Sequence, residues 1–176
     1  MPRTPFRKLS LIVATVALVV SAACHKKPPV VPAPPPPAPT PTPAPPQPTE
    51  DEIFARMTLT DLNAQKPLDD VFFDLDKSDL SDKARGSLDK DAAWMKRWTT
   101  TRVTVEGHGD SRGTNEYNLA LGERRGAAAR DYLISLGVPA ARLTVVSKGE
   151  EQPFCTEENE ACWAQNRRGH LIIIAK

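Results

Sequence analysis

The C-terminal part of the chain is predicted to be a two-layer α/β (α+β) sandwich in the order β-α-β-α-β, loop, β. Three observations predict it. From Pro67 onward, short runs rich in β-branched residues alternate with stretches whose apolar residues recur every three or four positions. Glycines fall between these runs, or on one face of the second helical stretch, where a backbone must turn or come close to a neighbour. The 110 residues from Pro67 to Lys176 suffice for one hydrophobic core, and the proline-rich stretch before them cannot belong to it.

Arg3, Arg7 and Lys8 precede an uncharged apolar run over 9–20, and Ser21, Ala22 and Ala23 then supply small residues. A membrane span needs about 20 apolar residues, so residues 1–23 are predicted to be an export signal. Cys24 follows at once. The pattern is similar to bacterial lipoprotein signals, in which such a cysteine accepts the lipid, although Ser21 stands where those signals usually carry leucine. Residues 24–66 are predicted to be the lipidated N-terminus and linker. Thirteen of the 18 prolines lie in 28–48. In polyproline II, at ~3.1 Å per residue, that stretch reaches about 65 Å and serves as a semi-rigid spacer. Ile53, Phe54, Met57, Leu59 and Leu62 mark a transition zone, able to form a short helix or lie against the domain over 67–176.

Within that domain, 71–75 (VFFDL) suits a strand. Ser78 or Ser81 can cap a helix whose stripe is Leu80, Ala84, Leu88, Ala92 and Met95. Residues 102–106 (RVTVE) form the second strand, and Gly107, Gly109 and Gly113 break it into a tight loop. The second helix covers 115–136, with Gly122, Gly126, Ala129, Leu133 and Leu136 on one face. Two mid-helix glycines cost about 1 kcal/mol each against alanine, so close approach to the sheet is the expected compensation. Gly137 fits a left-handed cap, and Pro139 prevents continuation. Residues 143–147 and 170–175 complete the strands.

The domain carries 16 Lys and Arg against 18 Asp and Glu, a net of −2, which offers no basic field for nucleic acid. Cys155 and Cys162 enclose six polar or looped residues, and in an oxidising compartment a local structural disulfide is expected. No histidine lies in that segment, so no metal site is expected there, and no cofactor is called for.

The stretches FDLDKS (73–78), EGHGDSRGT (106–114), EYNLALGERR (116–125), YL (132–133), SKGEE (147–151) and NRR (166–168) resemble the OmpA-like peptidoglycan-binding domain in order and spacing. The resemblance covers nearly all of 71–176, and the EGHGDSRGTNEYNLALGERR run is most similar to the lipoprotein branch of that family. It implies a non-catalytic outer-membrane lipoprotein facing the periplasm, which binds the diaminopimelate-containing stem peptide of peptidoglycan. It also implies partnership with TolB and the Tol complex in envelope integrity and cell division.

Asp110 in the loop and Arg125 about two turns into the next helix are 15 residues apart. A strand-loop-helix turn can set them on opposite walls of a shallow pocket. There Arg125 would clamp a ligand carboxylate by two parallel hydrogen bonds, and Asp110 would accept from an ammonium. On residue type alone, Asp110 reads first as a turn-capping residue and Arg125 as a solvated helix residue. The resemblance favours the binding roles and adds Arg112 and Asp76 as contacts. Leu121, one turn before Arg125, is expected to supply apolar wall. Leu75 departs from the phenylalanine common in the family, which would weaken a stacking contact. Arg124, Arg167 and Arg168 are read as rim or domain-stabilising residues, and the disulfide loop is expected to lie away from the pocket.

Two catalytic readings are weaker. His108, Asp110 and Ser111 are close in sequence, but neighbours on an extended segment point to opposite faces, which does not suit a nucleophile-base-orienter relay. Asp74 and Asp76 as an acid/base pair for glycan cleavage have no second supporting feature. An anchor domain of another envelope or motility complex is the alternative of a different class.

Overall fold

The computed structural model describes residues 47–176. The export signal expected over 1–23, the acylation expected at Cys24 and most of the proline-rich linker lie outside the described residues. The elements run α1 (Glu50–Arg56), α2 (Leu59–Ala64), β1 (Val71–Phe72), α3 (Asp82–Arg97), β2 (Arg102–His108), α4 (Asn115–Ser135), a short 3-10 turn, β3 (Leu143–Gly149), α5 (Glu160–Asn166) and β4 (Arg168–Ala175). The four strands form one sheet in the order β1-β4-β2-β3. β2 and β3 are parallel, joined through α4, while β4 runs antiparallel to both β1 and β2. α4 packs on β2 and β3, and α3 packs on β1 and against α4. The predicted two-layer class therefore holds. No helix among the described residues is long and apolar enough to cross a membrane.

The core lies where the predicted stripes meet. Ala84, Leu88, Ala92 and Met95 of α3, Val103 and Val105 of β2, Ala129 and Leu133 of α4, and Leu171 and Ile173 of β4 are all buried. The glycines of α4 have the expected purpose. A Cβ on Gly107 would sit 1.8 Å from the Gly122 carbonyl oxygen, and one on Gly126 would sit 2.6 Å from Val145 Cγ1. Helix and strand therefore touch backbone to backbone, which holds the loop leaving β2 close against the start of α4. Gly137 takes φ +93° after the helix end, as its position predicts.

Two elements and one domain boundary depart from the sequence reading. β1 stops at Phe72, because after Phe73 N–H bonds the Arg167 carbonyl the chain turns through Asp74–Lys77, with Asp76 at φ +56°. α5 forms inside the expected loop, capped by Asn159 on the Cys162 N–H at 3.0 Å. The folded unit also begins before Pro67. α1 and α2 each carry a capping box led by Thr49 and Thr58. Leu62 is buried in the core, and Phe54 stacks on Trp98 with ring centroids 3.8 Å apart. The Asn63 side-chain amide pairs with both backbone groups of Ile173 in β4. Those groups lie past the two residues that β1 covers, and they would otherwise lack a partner on that edge.

Candidate functional site

Asp110 sits just beyond β2, where the strand opens into the loop before α4. The loop is shaped by its neighbours. Gly109 N–H bonds the Gly149 carbonyl at the end of β3. Asn118, 1 % exposed, donates to the Arg112 carbonyl and to Glu150, both at 2.9 Å. Thr114 caps α4 by accepting from Tyr117 N–H. Gly113 takes φ +101°, a conformation that a side chain would oppose.

The Asp110 side chain is 4 % exposed and accepts from two guanidinium groups. Arg112 Nη2 reaches Oδ2 at 2.6 Å and Arg167 Nη1 reaches the same oxygen at 3.1 Å, while Arg112 backbone N–H bonds Oδ1. Burial alone would raise this carboxyl, but the hydrogen bonds from Arg112 and Arg167 outweigh it and hold it below the ordinary carboxylate range. Arg112 remains partly exposed, lies 4.2 Å over the Trp163 ring, and has Glu160 at 3.6 Å. Arg167 is buried and also joins Glu160 at 2.7 Å and the Phe73 carbonyl at 3.1 Å.

Arg125 is not a wall of an open pocket, and this corrects the sequence reading. It has no exposed surface. Its Nε donates to the Lys77 carbonyl, Nη1 to the His108 carbonyl and Nη2 to the Asp74 carbonyl, at 2.8–3.0 Å. Its guanidinium lies 5.4 Å over the Phe73 ring. Three of its five N–H groups are thus committed to backbone. Burial, and then the neighbouring Arg167, push its pKa down to about 10, so it stays charged at neutral pH. A signal for this burial was present: Arg125 lies on the stripe of Leu121, Gly122, Gly126 and Ala129, at the i+3 and i+4 spacings that face a helix inward. Leu121 is buried too and offers no exposed wall.

Asp76 is exposed on the turn that covers Arg125, and it accepts from the Tyr117 hydroxyl at 3.3 Å. Leu75 beside it is 47 % exposed. The predicted Cys155–Cys162 disulfide is present, but its segment is not remote. Glu158 accepts from the Ser111 hydroxyl at 3.3 Å, and Trp163 donates to Ser111 Oγ at 3.1 Å. Arg167, Glu160 and Trp163 are therefore residues of the site's surroundings that the sequence reading did not bring together. The NRR run marked Arg167, but nothing local in the chain ties it to Asp110, 57 residues earlier.

His108 and Ser111 do not form a relay. His108 is buried beside Glu106, and burial, followed by Arg168, pushes it down to about 4, so it is neutral at neutral pH. Ser111 faces Glu158 and Trp163 instead.

The OmpA family matches residues 72–167. The chain is 46 % identical over 114 residues to the Pseudomonas aeruginosa peptidoglycan-associated lipoprotein, covering 65 % of this chain and 67 % of that one. It is also 46 % identical over 105 residues to the protein of the same name from Rhizobium meliloti, and there it spans about 60 % of the relative's length. Among solved structures, the peptidoglycan-associated lipoprotein of Burkholderia pseudomallei is similar at TM-score 0.58 and 40 % identity, over 59 % of this chain and 88 % of that one. The C-terminal domain of Helicobacter pylori MotB, at TM-score 0.57 and 17 % identity over 60 % of this chain and 84 % of that one, shares the fold alone.

Proposed function

The chain belongs to the OmpA family, and from that premise we propose that it is an outer-membrane lipoprotein that binds the diaminopimelate-containing stem peptide of peptidoglycan without catalysis. Cys24 carries the lipid after removal of residues 1–23, and the proline-rich stretch spaces the folded unit from the membrane. The protein thereby ties the outer membrane to the wall, facing the periplasm, with TolB and the Tol complex as its partners. The names of its relatives support the reading. The observation that carries it is the buried Asp110 carboxylate, kept ionised by Arg112 and Arg167 at the mouth of the β2–α4 loop.

A stem peptide ends its diaminopimelate residue in an ammonium and a carboxylate. The ammonium would meet Asp110, and Arg112, the partly exposed cation beside it, would meet the carboxylate. Asp76 on the neighbouring turn contributes a second acceptor from the rim. Arg125 acts from beneath, fixing the carbonyls of Asp74, Lys77 and His108 around the site.

Asp110→Ala is the decisive variant. Co-sedimentation with purified diaminopimelate-type sacculi should fall at least tenfold, equivalent to about 1.4 kcal/mol or more. Sedimentation equal to wild type would remove the site. Arg125→Ala is a poor substitute, because it leaves three carbonyls unpaired around an emptied volume. It should lower folding stability by about 3–5 kcal/mol in denaturant melts.

A further inference from the structure

Both arginines that hold Asp110 are themselves held from the disulfide-closed segment and α5, which begins inside it. Glu160 Oε1 pairs with Arg167 Nη2 at 2.7 Å, and Glu160 Oε2 lies 3.6 Å from Arg112 Nη1. Trp163 places its ring against the Arg112 guanidinium and its indole N–H on Ser111. The segment has few supports of its own. α5 has seven residues, too few to persist without tertiary help. Its attachments are the Cys155–Cys162 bond, the Asn159 cap, and the Asn166 amide, which accepts from Phe154 and Cys155 N–H and donates to the Cys155 carbonyl.

We propose that Glu160 and Trp163 are positioning residues of the Asp110 site, and that the Cys155–Cys162 bond keeps them in place, so that wall binding depends on the redox state of this disulfide. The inference rests on the wall-binding reading above. The reductant is a dithiol, and the two sulfurs offer it unequal access. Cys155 is half-buried, whereas Cys162 is 1 % exposed. A thiolate therefore attacks Cys155 Sγ. The Cys155–Cys162 bond breaks, and the electron pair leaves on Cys162 Sγ, which accepts the Glu157 N–H at 3.1 Å. The second thiol of the reductant then displaces Cys155 from the mixed disulfide. The reductant ends as its own disulfide, and the two cysteines end as thiols, having gained two electrons and two protons. With the ring open, Glu160 and Trp163 are no longer fixed, and Arg112 and Arg167 lose their outer supports.

The test is co-sedimentation of the full chain with purified diaminopimelate-type sacculi, oxidised and after dithiothreitol, well below the melting temperature of either form. Reduction should weaken binding roughly threefold to tenfold, the lower part of the range of coupling between neighbouring residues, and reoxidation should restore it. Glu160→Gln and Trp163→Ala, with the disulfide intact, should show the same loss. Neither variant should lose much more on reduction, whereas a merely structural role would give independent, additive losses. Asp110→Ala separates the two failures. If it binds like wild type, the wall-site reading falls. If it loses binding while reduction and both variants leave binding unchanged, only the redox inference falls. Should the reduced chain be unfolded at the assay temperature, the disulfide holds the whole fold rather than Glu160 and Trp163, the redox inference falls, and the two oxidised variants decide only the positioning roles.

Discussion

Asp110 and Asp91 are both buried carboxylates, at 4 % and 1 % exposure, yet their surroundings drive them in opposite directions. Asp110, at the mouth of β2, has two guanidinium partners and is held below the ordinary carboxylate range. Asp91, midway along α3, has one backbone partner, the Asp69 N–H at 2.9 Å, and its Oδ2 has no hydrogen-bond partner among the described residues. Burial, together with the nearby charges of Asp69 and Asp70, pushes it up to about 7. Burial alone therefore does not mark a recognition site. What sets Asp110 apart is a counter-charge assembled from two distant segments, which keeps an ionised acid ready at the edge of the fold.

The largest test of that contrast removes the counter-charge. Arg167→Leu leaves Asp110 with Arg112 alone and also frees Glu160 and the Phe73 carbonyl. Breaking a buried pair from one side costs about 3–5 kcal/mol, and the surviving Arg112 contact points to the lower end. The Asp110 carboxyl should rise, approaching the behaviour of Asp91, as read from carboxyl chemical shifts against pH. An unmoved titration would mean that Arg112 alone sets its charge.

The next test concerns Asp91 and has the opposite sign to that of an ordinary paired acid. A group whose folded pKa is raised binds its proton more tightly in the folded state, so stability is greatest below the unfolded pKa and falls as pH rises toward about 7. Between about pH 5 and 8 the loss should be on the order of 2 kcal/mol, at 1.36 kcal/mol per pKa unit. Asp91→Asn keeps the acceptor for Asp69 N–H and should flatten that slope in urea melts. Asp110 contributes the other way: its stabilisation is complete above the unfolded carboxylate pKa and is lost as pH falls through its depressed folded value. A slope that survives Asp91→Asn would place the titrating group elsewhere.

The regular layers were legible because their causes are local. The stripe of α3, the glycine face of α4 and the cap at Gly137 all follow from residue spacing, and the fold uses them as read, except that Leu80 precedes α3 and is only partly buried. The site was legible in part. Asp110 and Arg112 share one loop, and a short turn brings them into contact. Arg125 lies on the inward stripe of α4, a spacing that signals burial, but residue type favours water and the chain does not show locally what a buried guanidinium would bond. The three carbonyls that bury it come from Asp74, Lys77 and His108, on two segments that only the sheet brings together. α5 was missed for a related reason. Its seven residues carry little apolar periodicity, and it stands on a cap, a disulfide and one asparagine amide.

The smallest effect concerns a third aspartate, which differs from both buried ones. Asp76 is exposed, takes φ +56° in the turn above Arg125, and among the described residues accepts only from the Tyr117 hydroxyl at 3.3 Å. A left-handed backbone costs a residue with a Cβ about 1–2 kcal/mol, less for aspartate than for most. Glycine removes that cost but loses more freedom on folding. Asp76→Gly should therefore stabilise the chain slightly, by about 0.5 kcal/mol, since the exposed bond from Tyr117 contributes little. Sacculus binding should move the other way if Asp76 is the rim acceptor proposed above, a charge near Arg112 that the variant deletes. A stabilised protein that binds less well would separate the two roles of this residue, since loss of fold cannot explain the loss of binding. If instead stability rises and co-sedimentation is unchanged, Asp76 drops out of the site, and recognition rests on the Asp110–Arg112 side alone.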